Sequence, residues 1–100
     1  MRRGSTPTNT ISVNLDLTEA TVFVSYWQSG RVLIDKTGED LTVEADKIIV
    51  SLTQKETLKF KPGPVEVQVR YVMEDGTADA SNIMETTAER ILKDGEIMYV

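Results

Sequence analysis

The chain predicts an all-β sandwich, and two features of its sequence carry that expectation. Apolar residues recur at every second position through most of its length, the spacing of strands with one face buried and the other wet. Turn-forming residues punctuate these runs at short intervals, at Gln28-Ser29-Gly30, Ala45-Asp46, Pro62-Gly63-Pro64 and Glu74-Asp75-Gly76. About seven strands follow, near residues 8–16, 20–28, 31–36, 40–45, 47–52, 64–73 and 77–88.

In the first strand Ile11, Val13 and Leu15 alternate with Thr10, Ser12 and Asn14. For the hairpin over 20–36, a three-residue loop Gln28-Ser29-Gly30 with a left-handed glycine pairs Tyr26 with Val32 and Val24 with Ile34. That register puts Val22, Val24, Tyr26, Val32 and Ile34 on one apolar face. For Leu41–Leu52, a two-residue turn at Ala45-Asp46 pairs Val43 with Ile48 and Leu41 with Val50, and Leu52 continues the face. Thr53-Gln54-Lys55-Glu56 then has the T-x-x-E form of a capping box, in which hydroxyl and carboxylate satisfy each other's orphan amides. A helix of one or two turns follows and ends by Pro62. A short helix between strands five and six resembles the E–F crossover of immunoglobulin-like domains, so the sandwich is expected to be immunoglobulin-like. Val65, Val67, Val69, Tyr71 and Met73 make the cleanest alternation in the chain. Residues 84–92 fit two periods. Met84, Ala88, Ile91 and Leu92, closed by Gly95, suit an amphipathic helix, while Thr86-Thr87 favours a strand over 79–88. The apolar stretch Ile97-Met98-Tyr99-Val100 can pair onto a sheet edge, in this molecule or another.

One hundred residues, 40% apolar and 27% charged, make one globular domain, expected over 10–100 after a flexible N-terminal arm over 1–9. No aliphatic run is long enough to span a bilayer, and Met1-Arg2-Arg3 is followed by no apolar segment of the kind that directs export. A net charge of −5 argues against nucleic acid or an anionic membrane as partner. With no cysteine there is no disulfide, thiolate nucleophile or zinc–sulfur site, and with no histidine the commonest general base is absent too. Glu39-Asp40 and Glu74-Asp75-Gly76-Thr77-Ala78-Asp79 lack the alternating carboxylates of a calcium loop and read as turns. No catalytic residue, cofactor or metal site is expected.

The hairpin over 20–36 carries more apolar surface than one core can use. It holds Phe23, Tyr26 and Trp27, half of the six aromatic residues. If Val22, Val24 and Tyr26 face inward, then Phe23, Trp27 and Leu33 point outward, beside Ser25, Arg31 and Asp35. Large apolar side chains on an outer face mark protein interfaces, with tryptophan the commonest anchor. Internal cover by an arm, a helix or the 97–100 segment remains the other reading, and a swapped register would exchange the two faces.

Arg2-Arg3-Gly4-Ser5-Thr6-Pro7-Thr8, the stretch Ser51–Phe60, Ala80-Ser81-Asn82-Ile83 and Ile91-Leu92-Lys93-Asp94-Gly95 resemble a family of short, mostly uncharacterised proteins of phages and prophages of Gram-positive bacteria. The resemblance runs nearly end to end. It implies a product of the virion-assembly region associated with the tail or baseplate, present in the host cytoplasm during assembly or in the virion. It implies no enzyme activity and carries over no functional residue. The expected partner is then a protein, either a second copy in a homo-oligomer or a phage tail component.

Overall fold

Valine, threonine and aromatic side chains crowd the longest alternating runs, a composition suited to pleated, half-buried surfaces. The computed structural model, which covers residues 1–100, folds these runs into eight strands. They are β1 (Thr8–Ser12), β2 (Thr21–Gln28), β3 (Arg31–Thr37), β4 (Leu41–Val43), β5 (Lys47–Ser51), β6 (Gly63–Val72), β7 (Ala78–Ala80) and β8 (Met84–Ala88). A short helix, α1 (Gln54–Thr57), joins β5 to β6. All strand pairs are antiparallel. One sheet has the order β1-β5-β4, and the other runs β3-β2-β6 with β7 and β8 sharing the far edge of β6. The connections β1–β2, β3–β4 and β5–β6 pass between the sheets, which gives the all-β sandwich with one short helix that the sequence predicts.

The core lies between the two inner faces. β2 contributes Val22, Val24 and Tyr26, and β6 contributes Val65, Val67 and Val69. Ile11, Ile48, Val50 and Leu52 cover them from the smaller sheet. Phe60 packs its ring against Tyr26 with centroids 6.2 Å apart. The 41–52 hairpin takes the expected register, Val43 opposite Ile48 and Leu41 opposite Val50. The capping box also forms: Thr53 Oγ1 accepts from the Glu56 amide at 3.2 Å, and Glu56 Oε1 accepts from the Thr53 amide at 2.9 Å.

Four expectations need correction. The 20–36 hairpin turns on two residues, Ser29 at φ +56° and Gly30 at φ +82°, not on three. Trp27 then stands opposite Val32, and a bulge at Leu33 shifts the ladder so that Tyr26 meets Ile34 and Val24 meets Lys36. Val32 is therefore outside the core face. The first strand stops at Ser12, because Asp16 accepts from the amide and hydroxyl of Thr18 and turns Leu17 into the core. The edge strand over 77–88 is split into β7 and β8 by one extra residue, since Arg70 pairs with Ala80 but Val67 with Met84. Ser81 Oγ bridges the break by accepting the Val69 amide at 3.0 Å. No helix forms over 84–92.

The fourth correction concerns residues 1–9, which do not stand away as an arm. The Arg3 amide donates to Glu89 O at 3.0 Å and the Glu89 amide to Met1 O at 2.9 Å, a short parallel pairing beyond the end of β8. The Arg3 guanidinium donates to the carbonyls of Leu58 and Phe60, which follow the last turn of α1 and have no helical partner. Thr57 Oγ1 donates to Ser5 O at 2.8 Å. Gly4 sits at φ +74°, a conformation that L side chains rarely adopt, and a Cβ there would lie a tight 3.3 Å from the Ile91 side chain and in ordinary contact with Leu58 at 3.4 Å.

Two side chains fasten this end of the sandwich to the larger sheet. Gln28 is buried, donates to the carbonyls of Lys61 and Pro64, and accepts the Lys61 amide at 2.7 Å. Gln28→Ala strands these backbone groups and is expected to cost roughly 2–3 kcal/mol, measurable as a lower urea midpoint at constant slope. Lys36 of β3 reaches Glu56 of α1 at 2.8 Å, with both side chains largely buried. Burial pushes the Glu56 carboxyl up, but the Lys36 hydrogen bond and charge and the Thr53 amide outweigh it and hold the group below the ordinary value of 4.5. A depressed carboxyl stabilises the fold above its unfolded value and loses that contribution as pH falls through the folded one. Urea midpoints measured from pH 7 to pH 3 should therefore drop below about pH 4.5, and less steeply in Glu56→Gln than in the parent.

Candidate contact surface

Strand alternation on β2 sends Phe23, Ser25 and Trp27 to the face of the larger sheet away from the core. Trp27 is 43% exposed, and its cross-strand neighbour Val32 is 49% exposed. Ile83, in the break between β7 and β8, is 60% exposed and closes the other side of a shallow depression. Its floor is polar. Ser25 Oγ donates to Asp35 at 2.8 Å, and Gln68 Nε2 donates to Ser81 O at 2.9 Å. Asp35, Glu66 and Arg70 line the same depression and form no ion pair within 4.0 Å. Trp27 and Glu66 stand directly opposite each other on β2 and β6.

The three residues singled out from the sequence divide here. Trp27 lies on the outer face. Phe23 shares that face but is half-buried, opposite Arg70 and Thr37, in a smaller hollow that also involves Val72 and Ala78. Leu33 is the bulged residue of β3 and packs against the core, because the extra position rotates its side chain off the outward row. Val32 takes the place beside Trp27. Neither Val32 nor Ile83 was singled out: the first needed the two-residue turn, the second the break at Ser81.

No group of three or more aspartate or glutamate side chains converges on a point anywhere in the structure. The carboxylates with lowered pKa outside the Lys36–Glu56 pair are turn residues, Asp16 by its hydrogen bonds from Thr18 and Asp75 by those from Thr77. The buried Tyr26 hydroxyl is pushed up by desolvation, against the Asn9 amide that donates to it at 2.7 Å. Both fit a structural role.

Comparison with known proteins finds no match to a family model, to a curated protein or to a solved structure.

Exposure of Trp27 separates its effect on stability from that of its neighbour. Trp27→Ala loses about 1 kcal/mol or less, the scale of one cross-strand pair, whereas Tyr26→Ala removes a fully buried ring and costs about 3–5 kcal/mol. Paired denaturation curves check this, and equal losses would show that Trp27 belongs to the core.

Proposed function

We propose that this protein is a non-enzymatic structural or assembly module of a phage or prophage, acting through protein–protein contact on the outer face of the larger sheet. The observation that carries the contact reading is the adjacency of Trp27, Val32 and Ile83, three exposed apolar side chains around a polar floor. Phe23 extends the patch, and Leu33 supports it from beneath through its packing on the core. The resemblance of the 1–8, 51–60, 80–83 and 91–95 stretches to phage and prophage proteins supplies the setting, a tail or baseplate component as partner or a second copy of the chain. Assembly then takes place in the bacterial cytoplasm, with either incorporation into the virion or an accessory role in building it. No helix is long and apolar enough to cross a membrane.

A carbohydrate-binding or adhesion module is the alternative, favoured by Trp27 standing beside the charged side chains Asp35, Glu66 and Arg70, which form no ion pair. The two readings separate experimentally. Trp27→Asp should weaken self-association or capture of a tail component by about 30-fold or more, the loss typical of a central anchor, with the unfolding midpoint little changed. Light scattering across a concentration series and pull-down with tail proteins read the first effect. Unchanged assembly in the variant, or Trp27-dependent binding on a glycan array, overturns the contact reading.

A further inference from the structure

The two sheets do not close on each other along one side. β1 pairs only with β5, and the β7–β8 edge pairs only with β6 until it meets Met1–Arg3 beyond Ala88. Between these edges runs an open lateral cleft of about 620 Å³ at its wider end. Its walls are mostly apolar, with Ile11, Val13 and Leu15 on one side and Val69, Tyr71 and Met84 on the other, and Asp79 is the one charged side chain at this wider end. A narrower continuation follows Ile11 toward Asn9 and Thr86.

The backbone along the cleft is free to pair. Pro7 O accepts from Leu52 and the Val13 amide donates to Asp46 O, so the odd-numbered residues of β1 bond toward β5. Thr8, Thr10 and Ser12 therefore turn their amides and carbonyls to the open side. At the closed end the chain fills the gap with its own Met1–Arg3 segment, laid along Thr87–Glu89. At the open end nothing fills it.

We propose that this cleft receives an extended segment of a partner protein, adding a strand whose alternate apolar side chains enter the gap and whose flanking residues are lysine or arginine. The charge requirement comes from Asp79. It stands opposite Tyr71, whose face is the inner one, so its carboxylate is directed at the cleft from an edge strand. It accepts only from the amide of the next residue and has no cationic partner. No lysine or arginine lines the cleft. An apolar strand laid over Asp79 would bury that charge unpaired, which costs more than the added contacts return. A basic strand supplies the missing cation. The exposed Ile97–Val100 segment of a second copy is the poorer occupant, because it enters behind Glu96. This surface is separate from the Trp27 face and stands or falls independently of it.

The test is a titration of the ¹⁵N-labelled full chain with the capped synthetic peptide Lys-Val-Thr-Val-Thr-Val-Lys at low ionic strength. Amide shifts and slowed hydrogen exchange are expected at Thr8, Thr10 and Ser12 or at Ala78 and Ala80, with the Trp27 face unaffected. Replacing both peptide lysines by glutamate should weaken binding by at least about fivefold, and Asp79→Asn should remove most of that preference. Trp27→Asp should leave the titration unchanged. No shift along the cleft, equal binding of the lysine and glutamate peptides, equal binding of a backbone N-methylated peptide, or tighter binding of the peptide Glu-Ile-Met-Tyr-Val would each overturn the proposal.

Discussion

The rows of valine on the inner faces of β2 and β6 must be covered, and the sheet that covers them is narrower than the one that carries them. Five strands face three. Burial of Val22, Val24, Tyr26, Val65, Val67 and Val69 against Ile11, Ile48, Val50 and Leu52 supplies the main hydrophobic drive. Three strands cannot extend over the whole of that surface. At one end the remainder is capped by chain that is not strand: Phe60, α1 and the Met1–Ser5 segment. At the other end only Leu17 is folded in, and the gap beside β1 stays open.

At the capped end meet three of the four stretches on which the proposed phage setting rests. Arg3 joins the carbonyls of Leu58 and Phe60 to the carboxylate of Asp94, and Gly4 lies against Leu58 and Ile91. Residues from the 1–8, 51–60 and 91–95 stretches thus satisfy one another's backbone and fill one another's space. Their chemistry is structural, a closure of the sandwich end. Only the fourth stretch, Ala80–Ile83, reaches the surfaces proposed for contact, with Ile83 on the outer face and Ala80 to Asn82 beside the cleft.

Legibility in the sequence followed the range of the interactions. The 41–52 hairpin and the capped helix could be read because each is decided within a few residues: Ala45-Asp46 leaves one register that puts all the apolar side chains on one face, and Thr53 and Glu56 answer each other directly. The β2–β3 register could not, because Val32, Leu33 and Ile34 are all apolar and periodicity does not say which of them is extra. That single residue decides whether Val32 or Leu33 stands beside Trp27. Docking of residues 1–5 was hidden for a different reason. Apart from the exposed Asp94 carboxylate, the partners of the Arg3 guanidinium are main-chain carbonyls more than fifty positions away, and a carbonyl has no side-chain signature. The cleft was hidden because it is made by a strand pairing that is missing.

An open sheet edge invites aggregation unless something blunts it, and the four edges here are treated differently. β4 is only three residues long, and β3 carries the bulge and turns Lys36 toward Glu56. The β7–β8 edge is interrupted at Ser81 and directs Asp79 inward, which penalises any uncharged strand that would pair there. β1 has no such device over Thr8–Ser12, and Asp79 lines the cleft beside it. A carboxylate in that position discriminates by charge where the edge itself cannot: it rejects a neutral or acidic strand, a second copy's own 96–100 segment included, and admits one that brings a cation.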